Sequence, residues 1–257
     1  MKYIQIIFSP TGGTKRVAET MTEAWSDSVT TIDLSDPNAD FSHCKIEQED
    51  MVLIALPSYG GRVPALAAKR LSQIRGNGAS CVLLCVYGNR AYEDTLVEMA
   101  DLAQDCGFLV AAAVSAVAEH SIMHQYATGR PDADDIRQLK TYAGMIMEKI
   151  NKIGNGSADA AMQIPGDRPY KKTGGVGLVP KAGNDCVNCG LCAKQCPAGA
   201  IDRNQIRKAD SQKCISCMRC VVNCPYSARK VNGGMVSAAA LAMKKVCSVR
   251  KDCELFL

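Results

Sequence analysis

The sequence predicts an α/β domain with a parallel sheet, followed by a much smaller domain built around cysteines. Short apolar runs alternate with helical stretches over roughly the first 150 residues, which is typical of strands and crossover helices. Further along, one cysteine pattern occurs twice with a separation of 28 residues. A chain of 257 residues has room for one domain of ordinary size and one small domain.

Five apolar runs are the candidate strands. They occupy residues 3–8, 29–33, 51–56, 80–87 and 108–117. Helical patterns at 14–25, 64–75, 92–106 and 132–150 alternate with them, and a short helix is expected at 41–49. Five strands with intervening helices fit an open parallel sheet in the order 2-1-3-4-5.

The predicted domain boundaries follow changes in composition. We expect the α/β domain at 1–153 and a linker at 154–181, where glycine and proline are frequent. The cysteine-rich domain is expected at 182–232, and a C-terminal helix with a tail at 233–257. The last three residues are apolar, and the sequence does not decide whether they contact either domain.

The loop after the first candidate strand is a candidate phosphate site. It reads Ser9-Pro10-Thr11-Gly12-Gly13-Thr14, followed by Lys15. Its hydroxyls and glycine N–H groups can donate to phosphate oxygens, and the N-terminus of the next helix favours an anion. The loop is not a P-loop of the G-x4-G-K-[ST] type. An ordinary strand-to-helix turn is the alternative for the hexapeptide by itself.

Two further loops leave the same edge of the predicted sheet, because the carboxyl ends of parallel strands lie together. The loop after the third strand contains Pro57, Ser58, Tyr59, Gly60, Gly61 and Arg62. The loop after the fourth contains Tyr87, Gly88, Asn89 and Tyr92. Three such loops together predict a ligand-binding crevice at this edge.

Eight cysteines form the doubled pattern. Each copy reads C-x2-C-x2-C-x3-C-P, with Cys186, Cys189, Cys192 and Cys196 in the first and Cys214, Cys217, Cys220 and Cys224 in the second. Zinc is the main alternative, although structural zinc sites generally pair two C-x2-C units across a longer gap. A proline after each fourth cysteine favours iron–sulfur clusters over zinc.

With these motifs the whole chain resembles the flavodoxin–ferredoxin fusion proteins of anaerobic bacteria, the two-domain iron–sulfur flavoproteins. The resemblance implies a flavodoxin-like domain that binds FMN and a small α+β ferredoxin domain with two [4Fe-4S] clusters. It also implies that the fourth cysteine of each copy is exchanged. Cys186, Cys189, Cys192 and Cys224 would then hold one cluster, and Cys214, Cys217, Cys220 and Cys196 the other.

The same resemblance assigns roles to the loop residues. Tyr59 is the expected stacking residue for the isoalloxazine ring, with Tyr87 or Tyr92 as alternatives. Gly60 and Gly61 would let a carbonyl turn toward flavin N5, and Arg62 would place positive charge near the reduced ring. No Rossmann G-x-G-x-x-G follows a predicted strand, so a nicotinamide cofactor is not favoured.

Charge divides the chain into two halves. Residues 1–153 contain 14 Lys and Arg against 19 Asp and Glu, a net −5, whereas residues 154–257 contain 16 against 7, a net +9. Two oxidised clusters with their thiolates would offset four of these positive charges. The remainder could pair with the acidic domain or steer an acidic redox protein. Few aromatic residues accompany the basic half, so nucleic-acid binding is not expected.

The sequence predicts a cytoplasmic location. The apolar N-terminal stretch is too short for a secretory signal, and no run approaches the ~18 apolar residues of a membrane span. Reducing conditions would keep the thiols available for metal.

Electron transfer between the clusters and FMN, from a one-electron donor to an acceptor, is the leading functional hypothesis. A redox partner protein is expected to supply or accept the electrons. A flavin-dependent reductase of a quinone or nitro compound, a simple carrier and a redox sensor are the alternatives.

Overall fold

The main feature of the computed structural model is a six-stranded sheet, in which the first five strands of the chain lie in the order 2-1-3-4-5 and the last strand of the chain, at Glu254–Phe256, follows at the edge. The structure describes residues 1–153, 162–172 and 177–257, so the predicted linker lies partly outside it. The first five strands are parallel, which confirms the predicted order 2-1-3-4-5. The last strand pairs antiparallel with the fifth.

The elements of the α/β domain lie close to their predicted positions. The strands are β1 (Tyr3–Ile7), β2 (Val29–Asp33), β3 (Met51–Pro57), β4 (Ser80–Tyr87) and β5 (Leu109–Val117). The helices are α1 (Gly13–Thr22), α2 (Ala65–Leu71), α3 (Thr95–Asp105) and α4 (Ala133–Ile153).

The prediction of a short helix at 41–49 is wrong, because this segment is irregular. Phe41 and Ile46 are both buried in the core. Residues five apart lie on different faces of a helix, whereas an irregular path lets both side chains enter the same core. The amide of Asn77 donates to the carbonyl of Ile46 and fixes this path.

Helices cover both faces of the sheet. Side chains of α2 and α3 pack on one face, and side chains of α1 and α4 pack on the other. Strand β4 is buried along its whole length, and only the last residue of β3 is partly exposed. Such strands read as continuous apolar runs, which is why the sequence located them accurately.

The cysteine-rich domain is built as a repeat. Strands β6 (Lys181–Ala182) and β7 (Arg229–Lys230) pair antiparallel, and one-turn helices α5 (Leu191–Lys194) and α6 (Arg219–Val222) lie within the two cysteine runs. Its backbone repeats as well, since left-handed φ angles recur at positions 28 residues apart. These pairs are Asn188 with Ser216, Gly190 with Met218, and Gly199 with Ser227.

The C-terminal segment belongs structurally to the α/β domain. Helix α7 (Gly233–Cys247) packs on the loop after β5, where the Tyr126 hydroxyl donates to the carbonyl of Ala240. Strand β8 (Glu254–Phe256) then extends the sheet. The sequence left the contact of this tail undecided. Within the described part of the chain, no helix is long and apolar enough to cross a membrane.

Candidate functional site

A cavity of about 220 Å³ lies at the carboxyl edge of the sheet. The loops after β1, β3, β4 and β5 contribute to it, as expected for a ligand crevice in an open α/β sheet. Ten of the sixteen loop residues singled out from the sequence line this cavity. They are Ser9, Thr11, Gly13, Thr14, Pro57, Ser58, Tyr59, Gly60, Tyr87 and Gly88.

The loop after β1 is shaped as an anion cradle. Gly12 has a φ of 93° and ends the loop just before α1 begins. The backbone N–H of Lys15 donates to Ser9 Oγ at 2.9 Å, which holds the loop against the helix. The first N–H groups of a helix have no acceptor within it, so those of Gly13 and Thr14 can donate to a phosphate. Gly12 and Lys15 do not line the cavity, and the Lys15 ammonium forms a salt bridge with Glu19 at 3.6 Å.

The loop after β3 turns tightly beside the cavity. The N–H of Tyr59 donates to the carbonyl of Arg62 at 2.9 Å, and the two intervening glycines have φ angles of 63° and 86°. Two consecutive positive φ angles are typical of a type I′ turn, in which glycine is favoured. Gly60 lines the cavity, whereas Gly61 lies against the side chain of Glu93.

Arg62 is directed away from the cavity. Its guanidinium donates twice to Glu98, at 2.7 and 2.9 Å, and once to the carbonyl of Lys171. It also lies 4.6 Å from the centre of the Tyr170 ring. The hydrogen bond to Glu98 raises the pKa of Arg62, so its charge is committed to this pair. The cation that does line the cavity is Arg90, in the loop after β4.

Asn89 and Tyr92 contact the C-terminal tail instead of lining the cavity. The Asn89 amide donates to the carbonyls of Cys247 and Val249 at 2.8 and 2.9 Å. The Tyr92 hydroxyl donates to Glu254 at 2.8 Å, and its ring meets Tyr87 edge-on at 5.3 Å. These two residues therefore fix the loop that carries Tyr87 and Gly88.

The loop after β5 supplies cavity residues that the sequence analysis missed. It contributes Ala118, Glu119, His120, Ser121, Ile122 and Met123. The predicted strand order could have revealed it, because the end of β5 lies beside the end of β4. The N–H groups of Ile122 and Met123 donate to His120 Nδ1, both at 3.1 Å. Burial lowers the pKa of His120, so the ring is neutral and carries its proton on Nε2.

The eight cysteines gather in two groups of four. One small cavity is lined by Cys186, Cys189, Cys192 and Cys224, and a second by Cys196, Cys214, Cys217 and Cys220. In each group three cysteines come from one copy of the pattern and the fourth from the other. Among the described residues, no group of three or more His, Cys, Asp or Glu side chains could hold a single metal ion. A cubane tolerates this arrangement, because each of its thiolates binds a separate iron.

The two groups are surrounded by matching polar contacts. The N–H of Ala200 donates to Cys196 Sγ and the N–H of Ala228 donates to Cys224 Sγ, both at 3.3 Å. Hydrogen bonds to the ligating sulfur atoms are among the factors that set the reduction potential of an iron–sulfur cluster. Burial raises the pKa of Cys217 to about 11 and that of Cys220 to about 12. A metal that bound to these thiols would therefore displace their protons.

The second cysteine group adjoins the cavity of the α/β domain. Ile215 lies between Cys214 and Cys217, and its side chain lines both the cysteine cavity and the cavity at the sheet edge. Ser216, the next residue, also lines the sheet-edge cavity, and so does Met243, which lies in α7. Nothing in the sequence pattern predicts these long-range contacts.

Hydrogen bonds hold the two domains together near this point. Arg219 Nη1 donates to Ser35 Oγ at 2.7 Å. The Arg70 guanidinium donates to the carbonyl of Leu34 and, at 2.8 Å, to that of Pro197, which follows Cys196. The second cysteine group is therefore the one fixed against the α/β domain.

Residues 185–229, which include all eight cysteines, match the family model of the 4Fe-4S dicluster domain. No curated protein matches the chain in sequence. Similar solved structures include oxidised flavodoxin 1 from Bacillus cereus, with 13% identity and a TM-score of 0.41, covering 58% of this chain and 98% of that one. Another is the flavodoxin of Streptococcus pneumonia TIGR4, with 16% identity and a TM-score of 0.40, covering 57% and 99%.

The sequence identities and TM-scores of these two structures are low, so the fold assignment depends on the strand order itself, which is that of flavodoxin. The family match identifies the second domain and gives the protein a redox function, since iron–sulfur clusters exchange single electrons. The chain therefore joins a flavodoxin-like α/β domain to a domain of the 4Fe-4S dicluster family.

Proposed function

We propose that this protein transfers electrons between two [4Fe-4S] clusters and an FMN bound at the sheet edge. The observation that carries the proposal is the position of Ile215, whose side chain lines both the second cysteine cavity and the sheet-edge cavity. Electron tunnelling falls steeply with distance, so two redox groups separated by one side chain exchange electrons readily.

The clusters would be held by the two groups of four cysteines described above. The N–H groups of Ala200 and Ala228 support this, because each donates to the sulfur of the exchanged cysteine. Arg229 is a further supporting residue. It is buried at 2% exposure, and it donates to the carbonyls of Pro180 and Ile206. Its Nε has no hydrogen-bond partner among the residues that the structure describes, which fits a neighbouring group of negative charge.

The FMN would occupy the cavity at the sheet edge. The loop after β1 would bind its phosphate through Ser9, Thr11 and Thr14, and Tyr59 or Tyr87 would contact the ring. Arg90 would be the cation beside the FMN in place of Arg62, with its charge shared between the cofactor and Glu93. His120 offers a neutral N–H donor. Ile215 and Met243 would cover the ring and exclude water from it.

The two kinds of redox group differ in the number of electrons they hold. Each cluster exchanges one electron, whereas FMN accepts one or two, so two clusters can fill or empty one flavin. The chain itself keeps the second cysteine group beside the cavity through Arg219 and Arg70. The reduction potentials of the clusters and of the flavin set the direction of electron flow.

Composition and coupling can be tested on protein purified without air. We expect eight irons, eight sulfides and one FMN per chain, and a reductive titration in which cluster and flavin absorbance bleach together. Two zinc ions without flavin would contradict the cofactor assignment. A flavin that stays oxidised beside two reduced clusters, at a potential where it accepts electrons, would contradict the transfer.

A matched pair of variants tests the route. Cys217→Ser removes a ligand of the group beside the cavity, and Cys189→Ser removes the equivalent ligand of the other group, 28 residues earlier. Each variant is expected to retain one cluster, counted by iron content and EPR. Cys189→Ser should still transfer electrons from its remaining cluster to FMN, whereas Cys217→Ser should not. Equal flavin reduction in both variants would exclude a route through the second group.

A further inference from the structure

The repeat in the dicluster domain places two equivalent apolar residues in opposite surroundings. Val187 follows the first cysteine of one copy, and Ile215 follows the first cysteine of the other. Ile215 packs against the core of the flavodoxin-like domain. Val187 is 56% exposed. The position that contacts the flavodoxin-like domain at one end of the repeat is thus open to solvent at the other.

The first cysteine group is correspondingly closer to the surface. Cys189 is exposed, while its equivalent Cys217 is buried. Val222 and Tyr226 lie two residues before and after Cys224, and they are 51% and 52% exposed. Val187 and Tyr226 also line the cavity of this group. These three side chains, Val187, Val222 and Tyr226, are called the apolar patch below.

Positive charge accompanies the apolar patch. Between residues 182 and 232 there are eight Lys and Arg but only three Asp and Glu, and two oxidised clusters with their thiolates would offset four of these five net positive charges. The positive charge that a partner meets is therefore local, on exposed side chains. Arg207, an exposed residue, donates to the carbonyls of Gly183 and Cys186 and so lies against the first cysteine group. The remaining exposed cations of this domain are Lys194, Arg203, Lys208, Lys213 and Lys230.

We propose that the apolar patch is the docking surface for an acidic one-electron carrier protein, which exchanges electrons with the cluster held by Cys186, Cys189, Cys192 and Cys224. This inference depends on the proposed binding of clusters but not on the presence of flavin. In the reducing direction, one electron leaves the reduced carrier and enters this cluster, and no bond or proton changes place. The internal interface of the repeat would thereby have an external counterpart.

The kind of partner follows from charge and size. The flavodoxin-like domain, which covers the other end of the repeat, has a net charge of −5 over residues 1–153. An acidic carrier would match the exposed cations of this domain, of which Arg207 lies against the first cysteine group, and would be steered to them at low salt. Transient electron-transfer complexes bury less than about 1,200 Å², so a patch of three side chains with charged surroundings is sufficient.

The experiment measures reduction of the clusters by a photoreduced acidic ferredoxin with a single [2Fe-2S] cluster, followed anaerobically by stopped-flow absorbance and EPR. Val222→Glu adds a repelling charge at the patch, and Val222→Lys adds an attracting one. Leu241→Glu on α7 is the control, because Leu241 is 74% exposed and lies outside the dicluster domain. Dithionite, a small reductant, reports whether the clusters of each variant are intact.

We expect the second-order rate constant of the full chain to fall as salt rises. Val222→Glu should lower it several-fold, Val222→Lys should maintain or raise it, and Leu241→Glu should leave it unchanged. The rate with dithionite should be the same in all four proteins. Equal slowing by Val222→Glu and Leu241→Glu, or a rate independent of salt, would overturn the docking surface. Because only cluster reduction is recorded, failure of electron transfer to flavin would be a separate result.

Discussion

Gly88 marks the point where two loops of the cavity come into contact. A Cβ added to it would lie 2.7 Å from His120 Cδ2 and 2.9 Å from Cγ. Real Cβ atoms do not approach ring atoms so closely, so His120 would have to move. Its Nδ1 accepts hydrogen bonds from the loop after β5, and the displacement would therefore affect that loop as well.

We expect Gly88→Ala to cost about 1–3 kcal/mol of unfolding free energy, as overpacking does, and to weaken FMN binding. Urea unfolding and FMN titration of the apoprotein measure both effects. Gly144→Ala is the control, because nothing lies within 4 Å of its Cβ position and alanine favours a helix. The double variant Gly88→Ala, His120→Ser should recover part of the loss. If it does not, contact with His120 is not the cause.

Glu93 connects the loop after β4 to the segment at 162–172. It accepts hydrogen bonds from Arg90 at 2.9 and 3.0 Å and forms an ion pair with Lys171. The hydrogen bonds from Arg90, followed by those from Lys171, lower the pKa of Glu93 to about 2. The unfolded value is about 4.3, so the ionised carboxylate stabilises the folded state above that pH.

The corresponding prediction concerns Glu93→Gln. At pH 7 it should cost about 1 kcal/mol, a value reduced for the partial exposure of the side chain. The difference from wild type should shrink as pH falls from about 5 toward 2, because the carboxylate of the unfolded chain is protonated below its pKa of about 4.3, whereas that of the folded chain stays ionised until its pKa of about 2. Fluorescence of Trp25, the single tryptophan, follows unfolding of the flavodoxin-like domain even where acid destroys the clusters. A difference as large at pH 3 as at pH 7 would contradict the charge-based explanation.

At the scale of elements, the C-terminal tail holds the loop that carries Gly88 and Arg90. Lys251 Nζ donates to the carbonyls of Asn89, Arg90 and Val246 at 2.5, 2.7 and 3.1 Å. Strand β8 adds Glu254, which accepts from Tyr92 and from Ser115. The tail therefore acts on the cavity without lining it.

We expect Lys251→Met to destabilise the chain by about 1–3 kcal/mol, since three backbone carbonyls, two of them in partly buried hydrogen bonds, lose their donor. FMN should also dissociate faster, because the loop after β4 loses its support. Lys245→Met is the matched control, as Lys245 is an exposed lysine in the last turn of α7. Thermal unfolding and FMN release, followed by flavin fluorescence, provide the two measurements. Equal effects of both substitutions would show that the tail does not position the loop.

The sequence predicted the elements that are determined by residues close together in the chain. Strand 80–87 is buried along its whole length and is a continuous apolar run, so it was located to the residue. The partly exposed edge strand 29–33 was also located to the residue, because four of its five residues are β-branched and favour a strand. The helix predicted at 41–49 was wrong because isolated buried side chains, such as those of Phe41 and Ile46, follow neither a helical nor a strand periodicity. The contact that Arg62 makes was missed for a different reason. Its partner Glu98 lies 36 residues away, and such a pair leaves no local pattern.

For the molecule as a whole, the doubled cysteine pattern predicted a repeat but not its orientation. The two copies share the spacing of their cysteines and proline, and this shared spacing does not distinguish the end that contacts the flavodoxin-like domain. Tertiary contacts of Ile215, Arg219 and Pro197 determine which end contacts the flavodoxin-like domain. The proposed route of electrons depends on this choice more than on any single ligand.

The last prediction tests that orientation. Arg219→Met removes the hydrogen bond to Ser35, and Arg70→Met removes the one to Pro197. Together they should loosen the contact between the domains and slow the reduction of flavin by reduced clusters, whereas cluster reduction by dithionite should be unchanged. Arg203→Met, an exposed arginine of the same domain, is the control. Anaerobic stopped-flow absorbance separates the two steps. An unchanged flavin phase in the double variant would mean that these arginines do not set the distance between the second cysteine group and the cavity.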